Sequence, residues 1–566
     1  MALRTTHIDR IRDGSFDTLI IGGGINGAVT AASLAGRGAS VALIDRGDFA
    51  NFTSQASSNL VWGGFKYLEN YELWLVFKLC QSRNRLMRAY RANIKEIGFY
   101  AALQDKPYKP WFAALGAFGY WAIGQFGTKP PRYLSTERIE REEPAIVTDT
   151  VAGGIEYRDG ILIDNDARFV FSFVRSAIEA GAAAANYVEL VSAERHGDRW
   201  VAQLRDVDTG EEFHTSARTI VNAAGPFVDG NNRNWGIKTE HRIVYSKGIH
   251  LVVPRLTTTR HDKVLAFYDD DERLFYVIPM GNRSVIGTTD TRVDTPFTEV
   301  TDDDIDFLLA QINSRMDLDH PLTRADIIAD RCGVRPLVVQ SNGADHDEVD
   351  WTKLSRKHAV ETDHRQRIVT IFGGKLTDCL NVGEEVAEEI ESLGVPLERD
   401  LHNWYGEPAK ATKQEFFRQA RLMKLDRVRS KPEVEPLSDR LWRRYGRRAF
   451  AMLDAIREEP AMAEDIMGSA DYIRIELHEA ARSEMVTKLE DFMRRRSKIE
   501  LVVSDADIEA SGGLREVAEI LFGASDADRR LAEYFGGADK VPAAVMAGPS
   551  ASAATLSAGD TLISPR

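Results

Sequence analysis

The residues best placed to do chemistry come first along the chain. Gly22, Gly24 and Gly27 fall on the spacing G-x-G-x-x-G, and Asp45 follows at the end of the next apolar run. Such a set binds a dinucleotide. Gly22 allows a tight turn, Gly24 lets backbone approach a pyrophosphate, and Gly27 lets a helix pack closely on a strand. Asp45 accepts hydrogen bonds from a ribose. Three further segments select the cofactor. Asn51 to Asn59 is a hydroxyl-rich loop, whose Thr53, Ser54, Ser57 and Ser58 suit pyrophosphate or ribityl oxygens. Thr219-Ile-Val-Asn-Ala-Ala-Gly225 reads as a buried strand ending in small residues that lie near an extended cofactor. Late in the chain, Thr370-Ile-Phe-Gly-Gly-Lys-Leu-Thr377 repeats strand, glycine turn and helix start. A helix N-terminus there turns its positive end toward a flavin, where it stabilises the reduced ring. Together these segments indicate FAD rather than NAD. The cofactor-binding set is Gly22, Gly24, Gly27, Asp45, Thr53, Ser54, Ser57, Ser58, Val188, Gly225, Gly374, Lys375, Leu376 and Thr377. Ser57 and Ser58 are assigned with Ser54 to the adenosine diphosphate half.

The elements that must hold these residues read as follows. Leu19–Ile21 is a buried strand, Ala28–Ala35 a helix and Ser40–Ile44 a second strand. Tyr71 to Glu96 is polar and helical, with one apolar face. Short alternating strands resume at Arg199–Leu204 and continue through Ser284–Thr288, which suggests an antiparallel sheet beside the nucleotide domain. From Lys410 glycine thins out and helix formers dominate, and Tyr472 to Met493 reads as one long helix. The expected fold is α/β: a Rossmann-like FAD-binding domain, an interleaved antiparallel-sheet substrate domain, and an α-helical C-terminal domain. The divisions are 16–400 for the oxidoreductase core, 401–536 for the helical domain, and 537–566 for a disordered tail rich in Ala, Ser and Gly.

Composition limits the rest. The net charge of −14 over 566 residues argues against nucleic acid and against purely electrostatic attachment to anionic lipid. Cys80, Cys332 and Cys379 are far apart, without disulfide or metal-ligand spacing, so no metal is expected and the compartment is a reducing one. Residues 1–15 have no apolar signal-peptide core, and no run reaches spanning length. The expected location is cytoplasmic, or peripheral on the cytoplasmic face of the membrane. Trp111 to Gly127 (WFAALGAFGYWAIGQFG) carries no charge and is flanked by Lys106, Lys109, Lys129 and Arg132. Aromatics between cations suit a segment dipping into one leaflet. A core helix, or a contact between copies as in a homodimer, stays open as an alternative.

The chain resembles the FAD-dependent glycerol-3-phosphate dehydrogenase/oxidase family, of the D-amino-acid-oxidase-like fold class. The matching segments include IIGGGINGA (20–28), SQASSNLVWGGFKYLE (54–69), NAAGPFVD (222–229), KGIHLVVP (247–254), GVRPL (333–337), LSRKH (354–358), FGGKLT (372–377) and EMVTKLEDFMRRR (484–496). The resemblance covers roughly residues 16–500. It implies oxidation of sn-glycerol 3-phosphate to dihydroxyacetone phosphate, with electrons passed to a quinone or another acceptor. It also places Arg335 and Arg356 as phosphate-binding cations, Lys375 at substrate and flavin, and Tyr67 at the substrate. A phosphate dianion needs fixed cations, preferably arginines. The hydroxyl proton needs a base near neutral pH, and His250 holds the histidine position of the K-G-x-H strand. The catalytic set is thus His250, Lys375 and Arg335. Two residues depart from the family pattern K-L-I-H-G-G-L-R-Y-L-E: Trp62 stands at the histidine and Lys66 at the arginine. Indole cannot accept a proton, and lysine lacks the two-pronged fork. The alternative is therefore a same-fold enzyme acting on another polyol phosphate, a hydroxy acid or an amine.

Overall fold

Two sheets carry the molecule, and the chain crosses between them repeatedly. In this computed structural model the described residues are 2–546, apart from 70, 105–107, 258–262, 269–273, 342–356, 399–403, 428–434, 468–469 and 543–544. Arg356, with Leu354 and Ser355 of the LSRKH segment, and most of the 537–566 tail therefore lie outside the described residues. Of that tail, 537–542 and 545–546 are described, with a 3-10 turn at Ala538–Lys540.

The first sheet has the parallel centre that a nucleotide domain requires. Ser15–Ile21 pairs in parallel with Val41–Ile44 on one side and Glu212–Asn222 on the other. Ile368–Phe372 adds in parallel beyond Glu212–Asn222, and Ala183–Ala185 beyond Val41–Ile44. These central strands are apolar on both faces because helices Ile25–Gly36, Asp166–Glu179 and Cys379–Ser392 cover one side. An antiparallel extension, Val188–His196 with Arg199–Asp206, covers the other.

The second sheet is built around His241–Pro254, which pairs antiparallel with Ala329–Gln340 and Arg283–Gly287. It continues through Leu274–Met280, Lys263–Tyr268, Ile94–Leu103 and Gly153–Leu162. The last two of these are long strands absent from the sequence reading, which treated Ile94 to Glu96 as helical. The helix there is Leu73–Ala89, and the strand starts five residues later. Both strands are buried on both faces, so they lack the alternation that marks a half-exposed strand.

Helices from Lys410 onward form the C-terminal region, with cores of their own around Trp442 and around Phe492. The expected single helix over 472–493 is corrected here. An α-helix spans Arg474–Ser483, the chain turns at Met485 in the left-handed region (φ 50°), and a π-helical turn covers Asp491–Arg496. The break has a cause in the side chains. Asp491 accepts hydrogen bonds from the backbone of Thr487 and Lys488 at 2.8 Å each, and this holds the turn.

Candidate active site

A cleft runs along the C-terminal edge of the parallel strands and onto the second sheet. One end is lined by Gly22, Gly24, Asp45, Thr53, Ser54, Val188 and Gly225. The other end is lined by Trp62, Lys66, Tyr67, His250, Arg335 and Lys375. Ile25, Thr53, Ser54, Pro336 and Gly374 border both, so the two ends are one elongated site.

The first end is shaped by backbone. Gly22 has φ +105°, and a Cβ there would meet the Ala223 carbonyl oxygen at 2.5 Å. Gly27 sits inside the helix against the Gly22 carbonyl, where a Cβ would approach to 1.8 Å. Gly27 thus sets helix–strand packing and does not line the cleft. Gly24 is the N-cap of the helix and brings no side chain of its own to the first N–H groups, and Gly24, Ile25 and Asn26 all border the cleft. Ile25 N–H donates to Ser54 Oγ at 3.0 Å, which fixes the hydroxyl-rich loop beside them. Asp45 accepts from Gly23 N at 2.6 Å and Gly47 N at 2.9 Å. Burial pushes its carboxyl up to about 6, against those two donors. Asn26 ties the helix to the late glycine turn, donating from Nδ2 to Gly373 O at 2.8 Å. Its buried Oδ1 has no hydrogen-bond partner among the described residues, an acceptor that a cofactor hydroxyl satisfies. A helix N-terminus bordering the cleft, a glycine cradle and an unmatched acceptor fit FAD.

Ser57 and Ser58 line the second end, with His250 and Lys375, while Thr53 and Ser54 of the same loop border both ends. Ser57 N–H donates to Asp166 Oδ2 at 2.7 Å, which turns the loop across toward the second sheet.

Register explains the second end. His250 stands opposite Arg331 on one neighbouring strand and Gly287 on the other, and Gly287 stands opposite Tyr276. Two positions along, Gly248 faces Gly333, and two further, Ser246 faces Arg335. All these residues share one face of the sheet. Gly248 is needed there: a Cβ would lie 2.1 Å from Arg335 Nη2, so the guanidinium lies flat over the strand. Arg335 bonds Thr288 Oγ1 at 2.6 Å and pairs with Asp290 at 3.1 Å, and Asp290 also takes the Ser246 hydroxyl.

His250 is buried, and neither ring nitrogen has a hydrogen-bond partner among the described residues. Burial, reinforced by the charges of Arg331 and Arg335, holds its pKa well below the usual histidine range. The ring is therefore neutral, with a lone pair to use. Lys375 caps the 3-10 turn Leu376–Asp378 and sets its ammonium 4.0 Å from the Tyr67 ring centre and 5.3 Å from the Trp62 ring centre. Trp62 is held at two points: its backbone N–H donates to Thr377 Oγ1 at 3.1 Å, and its indole N–H donates to Tyr157 Oη at 3.3 Å. Tyr276, Asn26 and Phe52 also line the cleft and were not read from the sequence. Tyr276 becomes visible only once its strand is paired through Gly287 to His250.

The chain matches the family described as FAD dependent oxidoreductase over residues 17–387, and the C-terminal domain of alpha-glycerophosphate oxidase over 426–529. The chain belongs to the FAD-dependent glycerol-3-phosphate dehydrogenase/oxidase family. It is an FAD-dependent oxidoreductase. Glycerol-3-phosphate dehydrogenase 2 of Mycobacterium tuberculosis is 28% identical over 94% of this chain and 90% of its own length. Aerobic glycerol-3-phosphate dehydrogenase of Escherichia coli is 31% identical over 66% of this chain and 73% of its own. The fold is shared with the glycerol-3-phosphate dehydrogenase of Bacillus halodurans solved with FAD, at a TM-score of 0.71 and 23% identity. That match covers 96% of this chain and 98% of the other.

Proposed function

We propose that the protein oxidises sn-glycerol 3-phosphate to dihydroxyacetone phosphate. Bound FAD supplies the acceptor for the hydride from C2. The observation that carries the reading is the buried His250, whose ring nitrogens have no hydrogen-bond partner among the described residues, set in the same cleft as Arg335, Lys375 and Lys66. His250 takes the proton of the C2 hydroxyl. Its neutrality is a property of the fold, since burial beside two arginines penalises imidazolium, and the proton it accepts must leave again as product departs. Arg335 and Lys375 supply positive charge for the phosphate, and the substrate dianion replaces part of the contact between Arg335 and Asp290. Gly22, Gly24, Asp45, Thr53, Ser54, Val188 and Gly225 hold the adenosine diphosphate half of FAD, and Gly374 to Thr377 its flavin end. Electrons leave to a quinone, and the exposed apolar face of the helix Pro110–Ile123 rests on a lipid surface.

A second reading rests on Trp62. Its backbone is held by Thr377 and its indole by Tyr157, and the ring cannot serve as a proton acceptor, so the cleft differs here from the family pattern. Anaerobic mixing of the yellow protein with sn-glycerol 3-phosphate separates the two. Bleaching of the visible flavin band within the mixing time supports the phosphate-alcohol reading. A band that persists, yet is bleached by dithionite, moves the substrate to another hydroxy acid, amine or polyol phosphate.

A further inference from the structure

Three phenylalanines meet at the adenosine end of the cleft, and they come from three separate parts of the chain. Phe52 precedes the hydroxyl-rich loop and Phe227 ends the Gly225–Phe227 turn; both line the cavity that holds Asp45. Phe297 comes from the other domain, in the segment between the strand Thr291–Val293 and the helix Asp302–Arg315. Its ring centre lies 6.0 Å from Phe52 and 5.6 Å from Phe227, and Phe52 and Phe227 are 5.1 Å apart. The guanidinium of Arg46, next to the ribose acid, sits 4.0 Å over Phe227 and 6.0 Å from Phe297.

One strand positions the parts. Thr53 Oγ1 donates to Val334 O at 2.7 Å, and Cys332 Sγ donates to Thr298 O at 3.7 Å. Phe52 and Phe297 are thus each one residue from a tether, and the two tethers end two residues apart on Ala329–Gln340. The placement is fixed, yet Phe297 remains 63% exposed. A large apolar ring held at a surface has little to contribute to the core. Its contacts are with the two rings that wall the cofactor cavity, offset or edge-on as aromatic pairs prefer.

We propose that Phe297 is a cofactor-retaining residue: with Phe52 and Phe227 it closes the adenosine end of the cleft across the domain boundary. FAD leaves only when this contact between the two domains opens. Arg46, stacked on the same rings, keeps a positive charge at that mouth, where a pyrophosphate passes.

Release of FAD from the holoenzyme tests this. Free FAD fluoresces more strongly than bound flavin, and excess apo-flavoprotein scavenger makes release irreversible. Phe297→Ala is expected to release FAD about 5-fold faster, the loss of one aromatic contact set, with Phe297→Tyr within about 2-fold of the parent protein. The thermal midpoint of the apo-protein should be the same in all three, since the ring is exposed. An unchanged release rate in Phe297→Ala overturns the proposal. So does equal acceleration in Phe297→Tyr, because that variant keeps the ring and its contacts. A lowered apo midpoint in Phe297→Ala overturns it as well, by assigning the ring to folding.

Discussion

At the scale of single residues, His250 carries the most specific claim. Its imidazole sits in a row of facing residues with Arg331 on one side and Gly287 on the other, and burial beside Arg331 and Arg335 keeps it neutral. A base whose pKa lies well below 6.5 remains in its accepting form throughout the neutral range. The rate of flavin reduction at saturating substrate should therefore stay flat from about pH 8 down to about pH 6, where an ordinary histidine would already be losing activity. His250→Asn should slow that step by roughly 10²- to 10⁴-fold with FAD still bound. A variant that reduces flavin at the parent rate would remove His250 as the base. The same burial has a stability sign. The folded state excludes the proton that the unfolded histidine binds below about 6.5, so this residue makes the fold less stable as pH falls. Of the site, what rests on backbone chemistry was legible in the sequence. Gly22, Gly24 and Asp45 were read because a phosphate turn permits few alternatives. That Ser57 and Ser58 stand at the end with His250 was not legible, because hydroxyl type does not say which way a loop turns, and Asp166 decides that from far along the chain. Tyr276 and Phe297 had no local signal, since their roles depend on pairing and on domain contact.

At the scale of elements, the helix Cys379–Ser392 and the strand Ala359–Asp363 are pinned together by one histidine. His358 bonds Asp378 through Nδ1 and Glu385 through Nε2, each at 2.8 Å. Burial disfavours its charge, but the two carboxylates outweigh burial and raise its pKa to about 9. Asp378 is held low in turn: burial works against it, and His358, Ser82 and Asn381 more than offset that. A raised histidine pKa stabilises the fold in full below the unfolded value near 6.5, and that contribution is lost as pH rises through about 9. The size is about 2–3 kcal/mol, trimmed because Glu385 is half exposed. His358→Gln should thus lower the thermal midpoint at pH ~6.5 and lose most of that difference by pH ~10. An equal difference at both pH values would mean that the histidine acts through packing alone. The pin matters for the site, because Asp378 closes the turn that presents Lys375 and Thr377. None of this was legible before the fold, for His358 follows an arginine motif that drew attention to charge rather than to a bridge. Long buried strands escaped notice for a related reason. Ile94–Leu103 is covered on both faces, so its sequence shows neither strand alternation nor a helical stripe.

At the scale of the whole molecule, the C-terminal helices are fastened to the core by buried ion pairs. Asp48, three residues beyond Asp45, accepts from Arg495 and Arg496 at 2.8 Å, and Asp164 from Arg443 and Arg444 at 2.6 Å. Arg168 and Arg175 reach Glu484 at 2.9 and 2.6 Å. Removing one partner of such a set leaves buried charge uncompensated, so these pairs are costly to break. One surface stands apart from these contacts. The helix Pro110–Ile123 buries Pro110, Ala117 and Tyr120 and leaves Trp111, Phe112, Leu115 and Phe118 exposed, with Leu73 and Trp74 exposed on the adjacent helix. Gly116 and Gly119 have open space where a Cβ would project, so that face is not packed against the rest of the chain. Among the described residues no helix is long and apolar enough to cross a membrane. A helix with aromatics outward, Lys109 at its N-cap and Lys129 a short loop beyond its end suits the headgroup boundary, where rings enter the acyl edge and ammonium groups meet phosphate. The overall charge of −14 makes neutral lipid the better surface. The protein should therefore cosediment with phosphatidylcholine vesicles. The combined change Trp111→Ser, Phe112→Ser and Leu115→Ser should weaken that binding at least ~100-fold, because each large apolar side chain contributes on the order of 1 kcal/mol or more at an interface. Flavin reduction by dissolved substrate should be unaffected, since none of the three residues lines the cleft. If the parent protein ignores vesicles but elutes as a dimer that the triple change splits, the face is a contact between copies and the lipid assignment falls.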